Sequence, residues 1–155
     1  MNSDFVVRRM TSRDRSAVVA IAASLKDVPQ WPQMFYLTAI NHGSNPERIA
    51  LVAEERDTGK IAAFAVASLL APESELETIA VASEYQRRGI GGRLIAEILD
   101  KLKAANVLQF HLEVRESNHN ALAFYRSRGW RETGRRPRYY AEPEEDAVLM
   151  TLDLA

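Results

Sequence analysis

The chain patterns as an α+β fold on a mixed, mostly antiparallel sheet, and three stretches predict it. Two apolar runs, Ile49 to Glu55 and Lys60 to Leu70, flank Arg56-Asp57-Thr58-Gly59 and read as an antiparallel hairpin. A strand at Leu76 to Val81, a glycine-rich turn at Gln86 to Gly92 and an amphipathic helix lead to a further strand at Val107 to Val114. That strand-helix-strand crossover is the connection parallel neighbours need. A last run, Ala147 to Leu154, alternates Val148, Met150, Leu152 and Leu154 and reads as an antiparallel strand. With 155 residues and no repeat or linker-like tract, residues 1–155 are expected to form one domain with its own core.

Taken in order, Phe5 to Met10 alternates weakly and reads as a first strand. Thr11-Ser12-Arg13-Asp14 is a capping cluster, able to open a helix carrying Val18, Val19, Ile21, Ala22 and Leu25. Pro29 and Pro32 break that helix, and Gln33 to Asn41 reads as a short second one ending near Gly43. Trp31, Phe35 and Tyr36 concentrate aromatic surface there, suited to core packing, a lid or a cleft wall. After the hairpin, Ala71-Pro72-Glu73 turns the chain into the Leu76 strand. The next helix sets Leu94, Ile95, Ile98, Leu99 and Leu102 on one stripe, with Arg93, Glu97, Asp100 and Lys103 facing away.

Val107 to Val114 alternates cleanly, with Leu108, Phe110, Leu112 and Val114 on one face and Gln109, His111 and Glu113 on the other. A strand placed centrally by a helical crossover is ordinarily apolar on both faces. Its polar face therefore lines a polar cleft or is half exposed, and the pattern leaves both open. Ser117-Asn118 suits the N-cap of a helix, His119 to Arg128, that Gly129 closes. Trp130 to Tyr140 is extended and basic, with Arg131, Arg135, Arg136 and Arg138.

Composition narrows the function classes. Lys and Arg total 20 against 21 acidic residues, so there is no global basic field to gather nucleic acid. The chain has no cysteine, which removes disulfides, thiolate metal sites and an acyl-cysteine intermediate. No cluster of histidines and carboxylates has ligand spacing, and no metal is expected. The start, Met-Asn-Ser-Asp-Phe, is unlike a signal peptide, and the longest uncharged run, Ile61 to Pro72, spans only about a dozen residues. A cytoplasmic protein with no membrane span is the expectation.

The chemistry centres on Gln86-Arg87-Arg88-Gly89-Ile90-Gly91-Gly92. A strand ending in a glycine-rich turn that opens a helix gathers backbone N–H groups at the positive end of the helix dipole, which makes an anion site. Glycine permits positive φ and close approach by a ligand oxygen, and two arginines add charge. A tight turn with exposed arginines is the plainer alternative. The spacing fits neither a Walker loop nor a dinucleotide fingerprint.

Ile79-Ala80-Val81, the Gln86 to Gly91 turn, and Asn118-x-x-Ala121-x-x-Phe124-Tyr125-x-x-x-Gly129-Trp130, in this order, resemble the GNAT acetyltransferase family. Leu112-Glu113-Val114-Arg115-x-Ser117-Asn118, with Tyr139-Tyr140 and Glu145-Asp146-Ala147-Val148-Leu149-Met150, is similar to its RimI-type ribosomal-protein alanine N-acetyltransferases. The likeness runs from about Glu73 to the end and is loose over the first seventy residues. It implies the GNAT fold, a sheet flanked by about four helices whose parallel pair splays apart at an acetyl-coenzyme A site.

The resemblance also implies acetyl-coenzyme A as cofactor and coenzyme A as product. Its pyrophosphate would lie on the amides of Arg87, Arg88, Gly89, Ile90, Gly91 and Gly92, its pantetheine arm along Ile79, Ala80 and Val81, and Asn118 beside it. Glu113 would be general base and Tyr125 the acid for the departing thiolate. Glu75 and Glu77, at period two on one strand face, are competing bases, and His111 is a weaker proton shuttle.

Without cysteine the simplest mechanism is direct attack by a neutral amine. Deprotonation at pH 7 costs roughly 1 kcal/mol for an α-amino group with pKa near 8 and roughly 4.6 kcal/mol for lysine. One carboxylate thus suits an N-terminus better. The expected acceptor is a protein or peptide N-terminus, with a ribosomal protein among the candidates and Trp31, Arg138 and Tyr139 as walls. Arg135-Arg136-Pro137-Arg138 departs from the ribosomal enzymes' pattern. A lysine, a small-molecule amine, or non-catalytic sensing of acyl-coenzyme A are the alternatives.

Overall fold

The computed structural model describes residues 4–41 and 47–154, so Gly43 lies outside the described residues. These form seven strands and four α-helices: β1 (Phe5–Arg9), α1 (Arg15–Ser24), α2 (Gln33–Ile40), β2 (Glu47–Glu55), β3 (Ile61–Leu70), β4 (Glu73–Val81), α3 (Ile90–Ala104), β5 (Gln109–Arg115), α4 (His119–Ser127), β6 (Arg131–Ala141) and β7 (Glu144–Asp153). They make one sheet in the order β1-β2-β3-β4-β5-β7-β6, antiparallel throughout except for β4 and β5. The element order and the single parallel pair are those the sequence pattern predicts. No helix among the described residues is long and apolar enough to cross a membrane.

β3 is the spine. Ala62 through Ala67 are all fully buried, and alternation divides them between the two faces. Ala63, Ala65 and Ala67 join the cluster of Leu94, Ile98 and Leu102 of α3, while Phe64 and Val66 join that of Val18, Ile21 and Tyr36 of α1 and α2. Small residues on the α3 side let that helix lie close to the strand, which fixes where its N-terminus points.

The entry to α1 is tied to β1 and β2 by one buried carboxylate. Asp14 accepts from the Thr11 N–H at 2.8 Å and from both Arg8 amino nitrogens at 2.8 and 2.9 Å, and Arg8 Nε reaches Glu54 at 2.9 Å. Burial alone would push the Asp14 carboxyl up, but the Arg8 guanidinium and the Thr11 amide outweigh it and hold the pKa below the usual value. A carboxyl depressed on folding stabilises above its unfolded pKa, and this contribution is lost as pH falls through the folded value. Asp14→Asn should therefore cost about 2 kcal/mol near neutrality, and the gap in Tm from wild type should close in acid, below about pH 4.

The strand starts depart from expectation. β4 begins at Glu73 rather than Leu76, because the turn after β3 sets Leu70 against Glu73 and pairing continues from there. β5 begins at Gln109, leaving Leu108 half exposed, and β7 begins at Glu144. β4 carries a bulge that periodicity did not reveal. Val66 pairs with Thr78 and Ala67 with Leu76, so Glu77 is the extra residue.

Candidate active site

β4 and β5 are paired only over Glu73 to Glu75 and Gln109 to His111. Beyond that register β5 follows β7 and β4 follows β3, so the parallel strands part and leave a fork between them. Along β4, alternate residues turn their backbone groups away from β3 and into the fork. Ile79, Ala80 and Val81 lie on this stretch, where the Val81 carbonyl accepts from Gln86 Nε2 at 3.0 Å and anchors the following loop to the strand.

That loop leads directly into the N-terminus of α3. Arg87 and Gly89 both have positive φ, 66° and 77°, and Gly89 is the N-cap of α3. Arg88 separates the two left-handed residues, and such a turn at the positive end of a 15-residue helix is a backbone pattern that favours an anion nest. Arg87 and Arg88 form no ion pair among the described residues, although Arg88 lies over the Tyr85 ring at 5.5 Å.

Gly91 is the informative glycine. A Cβ built there would come no nearer than 3.8 Å to Phe124 or Val81, so the protein's own packing does not demand glycine. The position is a cradle that a side chain would fill, which fits an anionic ligand resting on the backbone. Gly92 differs, because the Arg128 guanidinium, itself 4.0 Å over the Phe124 ring, packs directly against it. An elongated ligand with a phosphate at the loop and an amide-bearing arm in the fork matches these surfaces.

Opposite the α3 face, the sheet half formed by β4, β5, β7 and β6 carries a polar cleft of about 630 Å³. Glu75, His111, Glu113 and Arg136 are among its lining residues, so the polar face of β5 is a cleft wall. Glu113 is largely buried there. Arg136 Nε is 3.4 Å from Glu113 Oε2, close enough to attract without a hydrogen bond, and that oxygen is buried with no hydrogen-bond partner. Its neighbours along β5, Arg115 and His111, are engaged elsewhere, which leaves Arg136 as its ion partner. Arg115 binds Glu145 at 3.1 Å, and His111 bridges Glu73 at 2.7 Å and Thr151 at 2.9 Å.

Tyr125 lies on the other face of the sheet, buried on α4 between Phe124 and Trp130. Burial alone pushes its hydroxyl pKa well above the ordinary value. Candidate base and candidate acid therefore lie on opposite faces of the sheet. Asn118 caps α4, its Oδ1 accepting from the Ala121 N–H at 3.2 Å, so at least part of its side chain serves the helix.

Of the other carboxylates, Glu77 is bound by Arg48 at 2.8 and 3.2 Å, which ties it up as a base. Trp31 stacks on Phe35 at 4.9 Å, and Arg48 covers the same ring at 5.0 Å. Tyr139 is half exposed with Arg136 at 5.5 Å from its ring, and the Arg138 N–H donates to Asp146 at 3.0 Å. Trp31, Arg138 and Tyr139 are not among the residues that line the cleft. The links from Arg136 to Glu113 and from Arg48 to Glu77 were beyond sequence reasoning, since only the β6-β7-β5 and β2-β3-β4 registers bring them together.

The sequence profile described as Acetyltransferase (GNAT) family matches residues 18–130. The chain is 38% identical over 117 residues to the ribosomal protein bS18-alanine N-acetyltransferase of Salmonella typhimurium, covering 74% of this chain and 76% of that one. Its fold superposes on the crystal structure of the ribosomal-protein-S18-alanine N-acetyltransferase from Escherichia coli with a TM-score of 0.83 and 28% identity, over 97% of this chain and 94% of that one. It also superposes on Chaetomium thermophilum Naa20, solved with a bisubstrate analogue, at a TM-score of 0.85 and 25% identity over 96% and 86% of the chains.

Proposed function

The chain belongs to the GNAT acetyltransferase family, and from that premise we propose that it transfers acetyl from acetyl-coenzyme A to the N-terminal α-amino group of a protein or peptide. The observation that carries this reading is Glu113, a buried carboxylate oxygen without a hydrogen-bond partner beside the fork and facing the polar cleft. The relatives named for N-terminal alanine acetylation support it. A ribosomal protein is one candidate acceptor, and a cytoplasmic setting suits it.

When bound, acetyl-coenzyme A supplies an activated acyl carbon as its thioester. The amides of Arg87, Arg88, Gly89, Ile90, Gly91 and Gly92 would hold the pyrophosphate, and the backbone of Ile79, Ala80 and Val81 the pantetheine amides, with the Asn118 side chain alongside. Glu113 Oε2 takes a proton from the acceptor nitrogen as the C–N bond forms. The Tyr125 hydroxyl, kept protonated by burial, donates a hydrogen bond to the sulfur and then passes its proton as negative charge gathers there. Trp31, Arg138 and Tyr139, which lie outside the cleft lining, are assigned to the walls that receive the acceptor's first residues.

Acetyl transfer to short peptides with free N-termini, beside the same peptides blocked at the N-terminus and carrying a free lysine, tests the reading. Turnover is expected only with free N-termini. Transfer to the blocked peptides would reassign the acceptor to lysine, and coenzyme A binding without any transfer would point to a small amine or a sensor.

A further inference from the structure

A buried hydroxyl that makes no hydrogen bond costs free energy, and a native structure keeps one only for a reason. Thr78 carries one. The residue is 3% exposed, and its Oγ1 is buried with no hydrogen-bond partner among the described residues. Glu113 Oε2 is in the same condition.

The bulge at Glu77 decides which way the Thr78 hydroxyl turns. Leu76 faces α3, and strict alternation would put Thr78 on that face too. With Glu77 as the extra residue, Thr78 instead stands opposite Val66, whose side chain belongs to the α1 and α2 cluster. That is the face of the polar cleft, which Ser68, two residues beyond Val66 on β3, helps to line. Arg48 grips Glu77 through hydrogen bonds of 2.8 and 3.2 Å, which holds the bulge in place.

The same extra residue sets the height of Thr78 in the fork. Glu75 pairs with His111, so Leu76 falls level with Leu112 and, past the bulge, Thr78 falls level with Glu113. One arm of the fork thus offers a hydroxyl and the other a carboxylate, on one face and at one level. With a pyrophosphate at the start of α3, a pantetheine arm runs back along Val81, Ala80 and Ile79, and the next residue in that direction is Thr78.

We propose that the Thr78 hydroxyl donates a hydrogen bond to the thioester carbonyl oxygen and stabilises the charge that gathers there during transfer. This inference rests on the acetyl-transfer reading above. As the acceptor nitrogen bonds to the acyl carbon, the carbonyl π pair moves onto oxygen, and the Thr78 O–H strengthens its hydrogen bond while keeping its proton. Glu113 takes the proton from nitrogen. The carbonyl then re-forms as the C–S bond breaks, its electrons leaving with the sulfur that Tyr125 protonates. Glu113 returns its proton to solvent, and Tyr125 regains one.

A donor fixed before the reaction and shielded from water stabilises a developing oxyanion far more than a solvent hydroxyl does. Thr78 meets both conditions. Its backbone is held in the β3 ladder, its branched side chain is stiff at χ1, and its hydroxyl has no protein bond to break first.

Thr78→Val and Thr78→Ser test the assignment. Valine exchanges the hydroxyl for a methyl and removes an unsatisfied polar group, so Tm should hold or rise. With free N-terminal peptides, kcat should fall by at least about tenfold while coenzyme A affinity and acceptor KM stay unchanged. Serine keeps the hydroxyl and should retain most of the rate. Infrared difference spectra of bound acetyl-coenzyme A, isotope-labelled at the carbonyl, give a readout apart from turnover. The thioester band should lie lower in wild type and Thr78→Ser than in Thr78→Val. Equal bands or equal kcat in wild type and Thr78→Val would overturn the hydroxyl donor and leave the N-terminal reading standing. If wild type transfers nothing to free N-termini, the N-terminal reading falls, and the infrared comparison, which needs no acceptor, still decides for or against Thr78.

Discussion

Gly91→Asp should lose coenzyme A binding while the protein stays folded, with affinity falling by about 100-fold or more as like charge is set against a phosphate. Gly91 is the second residue of α3, and a Cβ there meets only ordinary contacts at 3.8 Å. An aspartate in the first turn of a helix interacts favourably with the dipole, and replacing glycine inside a helix removes backbone freedom from the unfolded chain. Tm should thus hold or rise as binding disappears. Calorimetric titration with coenzyme A, beside a melting curve, separates the two, and retained affinity would sink the anion-loop assignment. Gly91→Ala adds bulk without charge and should weaken binding less.

Glu113→Gln should lower kcat by about 100- to 1,000-fold, the scale of a lost general base, with coenzyme A affinity unchanged. The substitution keeps the shape of the side chain and removes only its charge and basicity. Its ion partner Arg136 is more than half exposed, so losing that attraction should barely move stability. Stopped-flow acetylation with calorimetric binding on the same preparation checks both halves. Wild-type turnover would remove Glu113 from the reaction and leave the anion loop untouched.

What could be read from the sequence follows from what is local. The α3 stripe, the turn around Gly59, the cap at Asn118 and the alternation of β5 each depend on residues a few positions apart, and each appears in the fold. The polar face of β5 was legible as an anomaly with two readings, a cleft wall or a half-exposed strand, and the fold selects the cleft wall. What escaped depends on register. The bulge at Glu77 arises where β4 pairs with β3, and no property of Glu77 itself announces it. Likewise Arg136 meets Glu113 only because β7 lies between their strands, so a run that the sequence shows only as extended and basic supplies the counter-charge of the candidate base. Glu75 and Glu77 look equivalent at period two, and Arg48, from two strands away, is what separates them.

β6 has a consequence outside catalysis. It is the border of the sheet, almost entirely exposed, and its pairing with β7 is interrupted twice, between Glu132 and Gly134 and between Arg136 and Tyr140. Pro137, without an N–H, sits in the second gap, and Arg131, Arg135, Arg136 and Arg138 are spread along the strand. An irregular, charged, proline-bearing margin is a poor template for another chain's backbone, and at the opposite border β1 is only five residues long. The sheet should resist edge-to-edge aggregation at concentrations where a flat apolar margin would nucleate fibres.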